Sequence, residues 1–275
     1  MANVLIGVPS HNGQIHMGAA KSVVEAIKNS EHNIHDESIA ISLLARCFNS
    51  LWKRAWEMQV DYFILLHADV QVAAPRATQP FPRVKVEIPG AYFPNWVDLM
   101  VHRLREHELA VMSAAIPIKS SAGVLSSGVN LEPGNNYTLR RMTMQELKAI
   151  QIGTIDRETM CSAMGIDPET AGAMLINTGC LIMDMKYPWD ELKWEGFGID
   201  DMIVWNKSGQ PLQLTRPEDW KFSAWMDENK VPYAMTKELI ILHAGAQMYT
   251  NFDVWGKPTD DGPRDPSPAE WEQSA

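Results

Sequence analysis

Basic residues are scarce in this chain: Lys and Arg number 24 against 34 Asp and Glu, a formal charge of −10. That balance argues against a broad nonspecific nucleic-acid surface, although a local groove stays possible and nucleic acid is not excluded as a partner. Cysteine is also rare. Cys47, Cys161 and Cys180 are widely spaced and odd in number, so they make neither a zinc pattern nor a disulfide framework, and a reducing cytoplasm is the expected setting. No apolar run is long enough to span a bilayer. Met1-Ala2-Asn3, ahead of the short apolar run Val4–Val8, lacks the basic segment and long apolar core of a signal peptide. There is no internal repeat and no coiled-coil pattern. What remains is an ordinary globular composition, 45% hydrophobic over 275 residues, enough for one large α/β domain or two small ones.

The most informative stretch is Asp61-Tyr62-Phe63-Ile64-Leu65-Leu66-His67-Ala68-Asp69-Val70. An apolar run such as Tyr62–Leu66 needs cover on both faces, which a parallel sheet provides. Val4–Val8, closed by Pro9 and Gly13, reads as the first strand and its loop. Ala20, Val23, Val24 and Ile27 recur at helical spacing, as do Leu44, Cys47, Leu51, Ala55 and Met58, the latter with Ser38 as a candidate cap. Leu109–Ala114 is another strand. This alternation predicts an α/β fold with a mixed, mostly parallel sheet flanked by helices.

Further along, Leu175–Met183 reads as a strand broken by Asn177, Thr178 and Gly179, where glycine suggests a bulge or close approach of a ligand. Asp200 and Asp201 are expected in or opening a helix. Pro217-Glu218-Asp219-Trp220 is a sound helix start, with Phe222, Trp225 and Met226 on one face. Ala234–His243 reads as a final strand. The proline-rich segment Ala73–Pro94, with Arg76, Arg83 and Lys85, is expected to be an extended loop or edge hairpin bordering a cleft. From about residue 257 the chain reads as a poorly ordered tail.

Polar residues therefore fall at strand ends or helix starts in a fixed order: Val8-Pro9-Ser10-His11-Asn12-Gly13, then His67-Ala68-Asp69, then Asn177-Thr178-Gly179, then Glu218-Asp219-Trp220, then His243. Ligands of open α/β sheets bind at the carboxyl ends of the strands. A carboxylate placed there beside an imidazole suits a divalent ion carrying phosphate oxygens. Taken alone, each piece also has a plainer explanation: Asp69 as a turn residue, His243 as a core-edge histidine, Glu218 and Asp219 as partners of the helix dipole.

As an ordered set, these pieces resemble the GT-A nucleotide-sugar glycosyltransferases, especially family-two-like phage and bacterial members. The resemblance covers roughly residues 3 to 250. It implies a GT-A-like, Rossmann-type sheet forming one catalytic domain over residues 1–256, with a donor half at about 1–115 and an acceptor half at about 116–256. It implies transfer of a sugar from a nucleotide-sugar donor, a UDP-sugar first, to an unidentified acceptor, with inversion and with Mn²⁺ or Mg²⁺ as cofactor. Asp69 and His243 are then the metal candidates, joined by His67, which stands where the family's pattern usually has its first Asp. Val8, Pro9, Ser10, Asn12, Arg46, His67 and Ala68 are the donor-nucleotide candidates. Asp219, with Glu218 beside it, is the candidate base that takes the acceptor's hydroxyl proton. Asn177, Thr178, Asp201 and Trp220 are acceptor candidates. Trp189, Trp194, Trp205 and Trp225 crowd the same half, and one or two tryptophans are expected at the acceptor cleft. Two other readings stay open: a non-catalytic nucleotide- or sugar-binding module, and a sugar-phosphate nucleotidyltransferase. The second normally carries a glycine-rich basic loop, which Val8–Gly13 lacks.

Overall fold

A computed structural model of the chain describes residues 1–74, 93, 95–120, 122–132, 135–205, 208–245 and 247–252. Most of the proline-rich segment and the whole expected tail lie outside the described residues. In chain order the elements are β1 (Asn3–Ser10), α1 (Met17–Asn29), β2 (Asn33–Ala40), α2 (Leu44–Glu57), β3 (Tyr62–Leu66), β4 (Val70–Ala73), α3 (Trp96–Glu106), β5 (Val111–Ala114), β6 (Val124–Glu132), β7 (Asn135–Thr143), α4 (Met144–Ala149), β8 (Thr154–Ile155), α5 (Arg157–Met164), β9 (Met174–Leu175), β10 (Cys180–Asp184), β11 (Asp200–Trp205), β12 (Pro211–Arg216), α6 (Glu218–Glu228), β13 (Tyr233–Thr236), β14 (Ile240–Ala244) and β15 (Met248–Thr250).

Seven strands form the central sheet in the order β2-β1-β3-β10-β5-β13-β8. β1 runs parallel to β2 and β3, and β5 runs parallel to β13. β10 is inserted antiparallel between β3 and β5, and β8 pairs antiparallel with β13. The result is a Rossmann-like, mostly parallel mixed sheet with helices on both faces. Side-chain alternation divides the core between those faces. Leu5, Phe63, Leu65, Leu181 and Met183 join Phe48, Leu51, Phe222 and Met226 on one side. Val4, Ile6, Ile64, Leu66 and Ile182 join Val23, Trp96 and Met100 on the other. β10 runs against its neighbours, so its first residue, Cys180, lies opposite the last residue of β3, Leu66. The segment before β10 is thereby delivered to the carboxyl edge of the parallel strands.

Several expectations need correction. Ser38 is not a helix cap; it lies in β2, paired with Val8, and α2 starts after Leu43 with no side-chain cap. β2 escaped notice because it is an edge strand whose residues are all partly or fully exposed, so no apolar run marks it. In α1 the buried face is Ala19, Ser22, Val23 and Ala26, while Val24 and Ile27 are exposed. Small residues face inward there because Ser22 Oγ bonds both the N–H and the carbonyl of Val72 on β4, at 2.8 and 2.9 Å. Asp200 and Asp201 open a strand, not a helix: β11 pairs with β12, as the β-branched and aromatic residues that follow favour. Ala234–His243 is two strands, β13 and β14, in different sheets. The break falls where buried Glu238 takes a two-pronged bond from Arg103, Nε and Nη2 each at 2.7 Å. Among the described residues no helix is long and apolar enough to cross a membrane.

Candidate functional site

The carboxyl edge of the sheet gathers the polar residues singled out above. β3 ends at Leu66, and His67-Ala68-Asp69 turns the chain into β4, which pairs with β14 so that Val70 lies opposite His243. Further bonds hold this turn: the His67 N–H donates to the Gly179 carbonyl at 2.8 Å, the His16 N–H to the Ala68 carbonyl at 2.7 Å, and the Ala244 N–H to the Asp69 carbonyl at 2.8 Å. Asp69 and His243, remote in sequence, thus meet, with Oδ1 and Nε2 3.6 Å apart. His243 Nδ1 lies 2.8 Å from the Pro117 carbonyl. A carbonyl only accepts, so Nδ1 carries the hydrogen and Nε2 is turned to the carboxylate. The second Asp69 oxygen bonds the Lys119 ammonium. Burial by itself would raise the Asp69 carboxyl, but His243 and Lys119 outweigh it and hold the group well below the usual carboxylate range.

His67 faces elsewhere. Its Nε2 lies 3.4 Å from Thr178 Oγ1, and its ring is 5.3 Å from that of Phe48. Burial chiefly, with the charges of His243 and Lys119 adding and Asp69 opposing, pushes its imidazole down to about 4, so it is neutral at neutral pH. Among the described residues no group of three or more His, Cys, Asp or Glu side chains is arranged to hold a metal ion. The donor set near Asp69 is one carboxylate and one imidazole. That set fits a divalent ion only if most of its ligands come from elsewhere, as with Mg²⁺ bound through one or two protein groups and substrate phosphates.

The segment between β9 and β10 connects this corner to α6. Asn177 Oδ1 accepts from the Gly179 N–H at 2.7 Å, and Asn177 Nδ2 donates to Asp219 Oδ2 at 3.1 Å. A Cβ on Gly179 would come within 2.7 Å of Asn177 Oδ1 and 2.8 Å of Ile116 Cδ1, so what crowds this glycine is the chain's own side chains rather than a ligand. α6 is tied to the same segment through Ser223, whose Oγ accepts from the Ile176 N–H at 3.0 Å and donates to the Asp219 carbonyl at 2.7 Å. Asp219 itself is buried. Desolvation first, then the neighbouring Glu218, pushes its carboxyl up to about 7, against the opposing bonds from the Trp220 N–H and Asn177 and the charge of Arg141. Burial likewise raises the Glu218 carboxyl.

Other candidates sit differently from their expected roles. Val8 and Pro9 are buried within β1 and paired to β2. Beyond them, Ser10 Oγ donates to the Gln14 carbonyl at 2.9 Å and Asn12 Oδ1 accepts from the Gln14 N–H at 3.1 Å. These side chains stabilise their own loop. Arg46 is exposed in the first turn of α2, and its side chain makes no hydrogen bond or ion pair with the described residues. Asp201 is exposed on the β11–β12 hairpin, where Gln213 Nε2 at 2.9 Å and Thr215 Oγ1 at 3.0 Å donate to it. Trp220 is buried in a small cluster with Leu139, Ala173 and Leu175, and the Arg141 guanidinium lies 5.0 Å over its ring. Trp189 is fully buried, and Trp194 and Trp225 pack beside it with Phe222. Trp205 stands out at 69% exposed. Lys119 went unnoticed in the sequence. Its only signal is a lone basic residue five positions after the end of β5, at the same sheet edge.

No known family profile and no curated protein matches the sequence. Among solved structures, the chain is similar to the crystal structure of A197 from STIV, with a TM-score of 0.46 and 11% identity over 94% of this chain and 95% of that one. Likeness at that level assigns no role to any residue.

Proposed function

We propose that this protein is a nucleotide-sugar glycosyltransferase of GT-A-like type, with a UDP-sugar first among the donors. One observation carries the reading: the short run Asn177–Gly179 bonds Asp219 on one side and the His67 backbone on the other. A buried carboxyl near neutrality and a cation-flanked carboxylate are thereby tied to one sheet edge. In the reaction, the acceptor oxygen attacks the anomeric carbon and the bond from that carbon to the diphosphate oxygen breaks. The bonding pair leaves with the diphosphate, and the acceptor's proton passes to Asp219 Oδ. A base is most effective when its own value lies near the working pH, which suits a carboxyl near 7. Attack and departure on opposite faces of the carbon mean inversion. The leaving group belongs at the Asp69–His243 end. Mn²⁺ or Mg²⁺, when bound, would use Asp69 and His243 and neutralise the charge that develops on the diphosphate.

The test is incubation with a panel of nucleotide sugars, with and without Mn²⁺, comparing wild type with Asp219→Asn. Slow donor hydrolysis that needs Asp219 supports the reading. Pyrophosphate exchange would make the protein a nucleotidyltransferase, and tight binding without turnover would make it a binding module; either outcome ends the transferase reading.

A further inference from the structure

Lys119 stands at the Asp69 corner, and the transfer reaction above leaves its chemistry unused. It leaves the end of β5 through Pro117, whose carbonyl is pinned by His243. Its stem then crosses the backbone just after β14, where a Cβ on Gly245 would lie 3.2 Å from Lys119 Cδ and 3.3 Å from its Cβ. The ammonium arrives on Asp69. An ammonium has three N–H donors and Asp69 uses one of them. Lys119 is 37% exposed, as is Asp69, so donors remain open to a ligand at the sheet edge. Among the described residues, the protein ligands available to a metal here are Asp69 and His243, and Asp69 already shares its charge with this lysine. A diphosphate carries more negative charge than such a pair, even with one divalent ion, leaves unmet.

We infer that Lys119 is a phosphate-binding residue of this site, and that it holds a diphosphate directly, with no divalent ion required for binding. Asp69 then acts as the group that orients the ammonium as well as a possible metal ligand. The inference rests on the proposed transfer reaction for its ligand class, a nucleoside diphosphate, but its test uses a simpler anion as well. Charge-assisted bonds to phosphate are the strong ones, and loss of one weakens binding by about 10- to 100-fold.

The experiment is calorimetric titration of the full chain with inorganic pyrophosphate and with UDP, each in excess EDTA and again with Mn²⁺, for wild type, Lys119→Gln and Lys119→Arg. Circular dichroism and thermal melting verify that the variants fold. Wild type is expected to bind both anions in EDTA, Lys119→Gln to bind them at least tenfold more weakly, and Lys119→Arg to restore most of the loss. Binding that appears only with Mn²⁺, or that is equal in wild type and Lys119→Gln, overturns the inference, as does failure of both anions to bind under any condition. The two readings fail separately. Pyrophosphate held through Lys119 with no nucleotide-sugar turnover sinks the transferase and leaves the anion site, whereas turnover with Lys119-independent binding does the reverse.

Discussion

Asp69 and Asp219 belong to the same edge of one sheet, yet their surroundings drive them in opposite directions. Asp69 lies in a partly exposed turn between His243 and Lys119, and these two partners keep it ionised at any ordinary pH. Asp219 is buried at the start of α6 beside a second carboxyl and holds its proton up to about pH 7. Two like side chains are thereby fitted for unlike work: one for holding charge, the other for exchanging a proton. Titratable groups pushed apart in this way are how sites divide acid, base and electrostatic roles.

The comparison breaks most decisively at Asp219. Asp219→Asn keeps the shape and the bond to Asn177 but cannot accept a proton, so transfer should fall by about 10³-fold while UDP binding stays near wild type. Wild-type rates, or a product that retains the donor's anomeric configuration, would leave Asp219 as a helix-start residue only. At the other end, Asp69→Ala should lower donor turnover by about 100-fold with only a modest drop in melting temperature, because a half-exposed carboxylate contributes little to folding. A sharp loss of thermal stability with Mn²⁺ binding and turnover intact would make Asp69 structural.

A smaller effect separates the two carboxylates through stability. The folded value of Asp219 lies above the ordinary 3.8. Between about pH 4 and 7 the folded state therefore holds a proton that the unfolded chain releases. Stability should fall as pH rises through that window, by up to about 1.4 kcal/mol per pH unit, and level off above it. Denaturant titrations across pH should show this slope in wild type and a flatter one in Asp219→Asn; parallel curves would refute the raised value. The mildest probe is Asn177→Ala, which removes the bonds to Asp219 Oδ2 and to the Gly179 N–H. It should cost about 1–2 kcal/mol of stability. It should also move the alkaline rise of the pH–rate profile upward, since Asn177 favours the ionised carboxyl. An unchanged profile would show that Asn177 only shapes the turn.

What the sequence determined by itself was the alternation of elements and the polar stops at their ends. Tyr62–Leu66 reads as a doubly covered strand, Pro217-Glu218-Asp219 as a helix start, and the interrupted run at Asn177–Gly179 as a break in a strand. These are local effects of burial period, capping and backbone freedom, and they are written residue by residue. Tertiary structure decided which stops meet and what each becomes. The antiparallel insertion of β10 brings Asn177 to the edge where β3 ends, and the pairing of β4 with β14 sets His243 against Asp69. Neither long-range pairing has a local signature. The same holds for β2, whose edge position hides it from any search for apolar runs, and for Lys119, a solitary basic residue until the fold lays it on Asp69. The opposite protonation of two aspartates could not be read from the chain at all, because it depends on desolvation and on charges contributed by segments far away in sequence.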